Sequence, residues 1–106
     1  MSNRFPNEQR GHRRFALEAP LRIHCRTGEL ILGRTVDVSE SGISAIIPLD
    51  MLVGQAVELG FLLDGELIEV QAMVKNKSAF RYGFEFILER KEREIISRGC
   101  KALAFG

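Results

Sequence analysis

The stretch AVELGFLLDGELIEVQAMVK, residues 56–75, decides the fold. From Ala56 to Leu63 the residues Val57, Leu59, Phe61 and Leu63 fall at every second position, the period of a half-buried strand. Asp64-Gly65 follows, a dipeptide suited to the left-handed φ values of a two-residue hairpin turn. Glu66 to Lys75 then resumes the alternation, with Ile68, Val70, Ala72 and Val74 inward. Two alternating runs joined by such a turn form an antiparallel hairpin, and the rest of the chain repeats the pattern.

Upstream, Ala19 to Arg26 alternates with Leu21, Ile23 and Cys25 inward and Arg22, His24 and Arg26 outward. Thr27-Gly28-Glu29 turns the chain. Leu30 to Ser39 reads as a second strand, with Leu30, Leu32, Val36 and Val38 on the core face and Gly33, Thr35, Asp37 and Ser39 on the other. Arg34 interrupts the apolar face. Ile43 to Ile47 is a third strand, ended by Pro48, and residues 50–55 form a loop. Downstream of the hairpin, residues 76–79 turn the chain into a sixth strand, Phe80 to Ile87, with Tyr82, Phe84 and Phe86 aligned. The period then lengthens: Glu92, Ile95, Ile96, Cys100 and Leu103 recur at helical spacing within residues 89–103, with Gly99 a weak point. Short strands joined by tight turns, then one helix, predict an all-β core: a six-stranded antiparallel barrel with a C-terminal α-helix. Closing the barrel also removes exposed strand edges. Residues 1–18 are polar and read as a flexible arm that Phe5 and Phe15 could dock; residues 19–106 form the barrel and its helix.

A chain of 106 residues supports one domain and one core. No stretch is long and apolar enough to span a bilayer. The N-terminal arginines lack the apolar run of a secretory signal. Cys25 and Cys100 lack a CxxC spacing and sit in apolar patterns, so they read as reduced core thiols of a cytoplasmic protein. Charge is unevenly spread. Residues 1–26 carry six arginines against Glu8 and Glu18, a net of +4, whereas the rest carries nine basic and twelve acidic side chains, a net of −3. A compact basic head on a mildly acidic body suits a small anion better than a nucleic acid, which calls for a broad basic face.

Two polar clusters stand out. Asp37-Val38-Ser39-Glu40-Ser41-Gly42 joins two apolar runs and offers a carboxylate, a hydroxyl and, at Gly42, bare backbone. Arg10-Gly11-His12-Arg13-Arg14 lies in the arm. The bland readings are a solvated tail for the arginines and a hydroxyl-capped turn for Asp37 and Ser39. The functional reading is that the arginines fold over the Asp/Ser patch and hold an anionic, base-bearing ligand. Guanidinium forks pair bidentately with phosphate and with guanine O6/N7, and a carboxylate accepts from the guanine N–H edge. His12 and His24 match no metal-site spacing, and Ser39 has no evident base. The expectation is therefore no metal, no cofactor and no enzyme activity.

The two clusters, in order, resemble the signatures of the PilZ domain, a bacterial receptor module for cyclic di-GMP. RxxxR is matched by Arg10 and Arg14, and [D/N]xSxxG by Asp37, Ser39 and Gly42; Tyr82-Gly83-Phe84-Glu85-Phe86 and the helix after it are also similar to the family. The resemblance implies a split-barrel type of six-stranded fold, with the ligand wrapped by the arm. It implies that Arg10 and Arg14 contact phosphates and guanine edges, with Arg13 auxiliary. Asp37 and Ser39 would hydrogen-bond the ligand, and Gly42 would hold the turn. Lys77 and Arg81, near the last hairpin, are further candidates, and Gln9 occupies the position that bears on ligand stoichiometry. The partners expected are cyclic di-GMP and a downstream protein, with no nucleic acid and no membrane insertion, from a monomer or weak dimer. The alternatives are an adaptor of the same fold that binds no nucleotide, and a small nucleic-acid-binding barrel. The latter is disfavoured by the lack of Trp and the inward register of most Phe residues.

Overall fold

In the computed structural model, which describes residues 13–105, the strands are β1 (Phe15–Ala16), β2 (Pro20–Cys25), β3 (Leu30–Val38), β4 (Gly42–Ile46), β5 (Ala56–Leu63), β6 (Glu66–Ser78) and β7 (Arg81–Ile87), followed by helix α1 (Arg90–Phe105). All pairings are antiparallel. The order β3-β2-β5-β6-β7-β4 returns to β3 through the β3–β4 pair, so six strands close a barrel and the two-residue β1 adds to β3 from outside the ring. This is the fold that the alternation implied. The deciding hairpin has Asp64 at φ 53° and Gly65 at φ 80°, both left-handed as a type I′ turn demands. It pairs Leu63 with Glu66 and continues to Ala56 with Met73.

Inside the ring Leu21, Ile23, Ile43, Ala45, Leu59, Leu63, Val70, Ala72 and Val74 are buried. Helix α1 closes the barrel with Ile96, Gly99 and Cys100. Glu92 caps it, its carboxylate accepting from the Glu89 N–H at 3.0 Å. The weak point Gly99 has a packing reason: an added Cβ would lie 2.6 Å from Leu63 Cδ2 and Cγ, so only glycine lets the helix come this close. At the other end Tyr82, 1% exposed, donates its hydroxyl to Leu49 O and accepts from Met51 N, both at 2.9 Å. These bonds hold the β4–β5 connection across the barrel mouth.

The first half of β3 differs from its expected register. Ile31 and Thr35 point inward, whereas Leu30 and Leu32 are 52% and 62% exposed. Thr35 pairs with Ala45, but Asp37 pairs with Ser44, so Val36 is an extra residue and the strand changes phase there. The bulge lets Thr35 and Val38, three apart, both face the core. Arg34 then needs no special account, since it lies on the outer face with Leu32. Inward Thr35 is satisfied by the chain leading out of the arm: its hydroxyl donates to Leu17 O and accepts from Ala19 N at 2.9 Å. A second bulge lengthens β6 beyond the expected Lys75, to Ser78. Val74 pairs with Phe84, but Asn76 pairs with Gly83, leaving Lys75 extra. The turn shrinks to Ala79 and Phe80, and Phe80 lies outside the strand assigned to it.

Candidate functional site

Both bulges border the same pocket. It has a volume of about 420 Å³ and is lined by Arg14, Asp37, Ser41, Ser44, Lys75, Asn76, Arg81, Gly83 and Glu85, among others. That volume is within the ordinary range for small-molecule sites, about 300–1,000 Å³. Its floor is one outward row of cross-strand neighbours, Asp37 to Ser44 to Gly83 to Asn76. Gly83 leaves room for the Asn76 side chain, whose Oδ1 would lie 2.5 Å from an added Cβ.

Asp37, just past the β3 bulge, gathers cations from two directions. Arg14, one residue before β1, donates Nε to Asp37 Oδ1 at 2.8 Å, and its Nη2 lies 2.7 Å from the same oxygen. Nη2 also reaches Ser44 Oγ at 3.1 Å and Nη1 reaches Ser39 Oγ at 3.4 Å. From β7, Arg81 Nη2 lies 3.5 Å from Asp37 Oδ2. A single carboxylate thus orients two guanidinium groups across the pocket. Pairing of β1 with Asp37 and Val38 explains how the second arginine of the arm motif comes to this point, with Phe15 half-buried against the core.

The remaining residues singled out in the sequence divide. Arg13 is directed away, its guanidinium 5.1 Å from the centre of the Phe15 ring. Ser39 is fully buried. Its Oγ accepts from the N–H groups of Ser41 and Gly42, each at 3.2 Å, which makes it the internal brace of the loop before β4. Gly42 meets the backbone of β7 so closely that an added Cβ would lie 2.2 Å from Phe84 O. Arg10 and Gln9 lie outside the described residues. Lys77 is turned to the barrel mouth, where it is paired with Asp50 and stands 5.8 Å from the Tyr82 ring centre. Hydrogen bonding to Asp50 raises the Lys77 pKa, and the same bond lowers that of Asp50. The β6 bulge is responsible: it brings Lys77 opposite inward Tyr82 and leaves Lys75 and Asn76 facing the pocket. Sequence reasoning missed Lys75, Asn76, Ser44 and Glu85, because the row that joins them exists only once the register is known.

Cys25 and Cys100 are free and buried thiols. Burial pushes the Cys100 pKa up to about 11 and raises that of Cys25, so neither is a ready nucleophile. Among the described residues no cluster of His, Cys, Asp and Glu could hold a metal ion, and no helix is long and apolar enough to cross a membrane.

Comparison with known proteins agrees with this architecture. The family model for the PilZ domain matches residues 8–102. The PilZ domain of Escherichia coli YcgR with c-di-GMP superposes with a TM-score of 0.75 at 13% identity, covering 92% of each chain. The PilZ domain of CeSA, from a cellulose-synthesizing bacterium, superposes at 0.67 with 19% identity, over 86% of this chain and 94% of that one. Bacillus subtilis MotI/DgrA, an inhibitor of motility, superposes at 0.72 with 16% identity; the match covers 96% of this chain but 51% of that one. A search of curated proteins gives no match.

Proposed function

The chain belongs to the PilZ domain family, and on that premise we propose that it is a cytoplasmic bacterial receptor for cyclic di-GMP. It acts without catalysis, by changing a surface that a downstream protein reads. The observation that carries this reading is the convergence of Arg14 and Arg81 on Asp37, at the edge of a pocket completed by Ser44, Lys75 and Asn76.

The chemistry fits a ligand with two phosphates and two guanines. Arg14 and Arg81 supply guanidinium forks for phosphate oxygens or the guanine O6/N7 edge, and Lys75 adds a point charge. Asp37 holds the two arginines in place and is the acceptor for a guanine N–H edge. Ser39 and Gly42 keep the loop in shape, and Arg10 joins from the arm. The resting ion pairs do not block this. Arg14 and Asp37 side chains are 43% and 21% exposed, and pairs with that much solvent are typically worth about 1 kcal/mol or less. A charged hydrogen bond to a phosphate contributes about 1.5–3 kcal/mol, so the ligand can draw the arginines off the carboxylate. With Arg10 and Arg14 both on the ligand, the arm becomes part of the ligand's enclosure and is held against the barrel.

Calorimetric titration with cyclic di-GMP, using GTP and cyclic GMP as controls, tests the proposal. Selective binding at micromolar affinity or tighter is expected. Alanine at both Arg10 and Arg14 should abolish it without altering the circular dichroism spectrum, and undiminished affinity in that variant would sink the assignment. The absence of binding heat for the parent chain would leave the adaptor reading.

A further inference from the structure

A second concavity, about 700 Å³ in volume, lies on the outer face of the β3–β4 pair. Leu32, Val36, Ile46 and Pro48 make its apolar surface, and Glu18 and Arg34 add opposite charges. Leu32 and Ile46 are 62% and 47% exposed. The barrel is closed at this point, so an occupant must be held by side chains rather than by strand addition.

We infer that this groove receives Phe5 of the N-terminal arm when cyclic di-GMP is bound, an inference that rests on the receptor reading above. Three observations select this occupant. The groove adjoins the ligand pocket: Asp37 and Ser44 line the pocket, while Val36 and Ile46, their near neighbours on the same two strands, line the groove. The arm is within reach: Arg14 is bound to Asp37, Glu18 lines the groove itself, and twelve residues precede the described chain. Four residues lie between Arg10 and Phe5, and the five Cα steps from one to the other span about 17 Å when extended. Third, the arm's chemistry matches the groove. Phe5 is the one aromatic residue among positions 1–12. It is flanked by Arg4, complementary to Glu18, and followed by Glu8, complementary to Arg34. Pro6 biases Phe5 toward an extended backbone.

The coupling to ligand follows from entropy. Burying one aromatic side chain offsets the ordering of only a few residues, so docking of a free arm is weak. Once the ligand holds Arg10 and Arg14, four residues remain between the anchor and Phe5, and the effective concentration of the ring at the groove rises sharply. Cyclic di-GMP would then control access to an apolar surface it does not touch.

The chain contains no tryptophan, so Phe5→Trp places a single indole in these 106 residues. Saturating cyclic di-GMP should shift its emission to the blue and cut acrylamide quenching severalfold. Adding Leu32→Lys, a change in the groove and away from the ligand pocket, should return the quenching to its ligand-free value while calorimetric affinity for cyclic di-GMP stays within about threefold. Binding with an indole that remains solvent-like overturns the inference and leaves the receptor reading standing. A blue shift that survives Leu32→Lys places the ring elsewhere and overturns it too, as does a solvent-like indole with ligand-dependent dimerisation, which assigns the groove to a second copy. No binding heat at all overturns both readings.

Discussion

Replacing Ser39 by alanine separates a brace from a ligand contact. The side chain is fully buried, and its Oγ satisfies two backbone donors, Ser41 N and Gly42 N, each at 3.2 Å. Gly42 is buried, so its N–H has no route to water after the substitution, and a buried unsatisfied donor costs about 1–3 kcal/mol. Ser41 is exposed, so its N–H can recruit solvent and adds less. The expected loss in urea unfolding is about 2 kcal/mol, which for a chain of this size lowers the melting temperature by about 8–16 °C. The reach from Arg14 Nη1 to Ser39 Oγ is long, 3.4 Å, so Arg14 loses little. At a temperature where the variant is folded, affinity for cyclic di-GMP should fall less than it does for Arg14→Ala. Asp37→Ala supplies the opposite pattern. That carboxylate is partly exposed and its two arginines can turn to water, so stability should drop by less than about 1 kcal/mol while binding drops by tenfold or more. A Ser39→Ala protein with unchanged urea midpoint and abolished binding would refute the brace and make Ser39 a ligand contact.

The second arginine of the pocket and the lysine of the barrel mouth should also part company. Arg81→Ala is expected to weaken cyclic di-GMP binding by about tenfold or more, whereas Lys77→Ala leaves it unchanged in the same titration. Gly99→Ala should destabilise by about 1–2 kcal/mol in urea, because overpacking against buried Leu63 outweighs the gain of about 1 kcal/mol in helix propensity. Leu63→Ala should cost less in that background than in the parent, a coupling that a double-mutant cycle reads directly. The Cys100 thiol sits at about 11 against an ordinary 9.0, so between these values the unfolded chain loses its proton first. The folded state then binds more protons, and stability must fall as pH rises from about 9 to 11; Cys100→Ala should flatten that slope in urea midpoints measured across the window.

How far the chain could be read in advance depends on where alternation is unbroken. The β5–β6 hairpin as far as Val74, the turn at Asp64-Gly65, β2 and α1 each follow a single period, and burial of one face dictates their register. The reading slipped at β3 and at the end of β6, and for one physical reason. Each strand carries one extra residue, Val36 or Lys75, and a bulge changes which face every later side chain occupies without leaving a mark in composition. A period-two reading therefore puts Leu30 and Leu32 inward and Thr35 outward, and it offers Lys77 as a candidate where Lys75 lines the pocket. The motif residues themselves were legible, but the division of labour between them was not, because burial of Ser39 and the pairing of Arg13 with Phe15 are tertiary outcomes.

The two irregularities are also what builds the pocket. Without the β3 bulge, strict alternation from inward Thr35 would turn Asp37 into the core and Val38 out to solvent. With it, Val38 packs inside and Asp37 faces Arg14 and Arg81. Without the β6 bulge, inward Val74 would be followed by inward Asn76, with Lys75 and Lys77 together outside. With it, Asn76 joins the floor beside Gly83, Lys75 stays at the pocket, and Lys77 moves to the mouth to hold Asp50. The residues that defeat a period-two reading are thus the ones that bring a carboxylate, an amide and three cations to one face of the barrel. A regular barrel of the same composition would bury its core as well, but it would have no place to gather them.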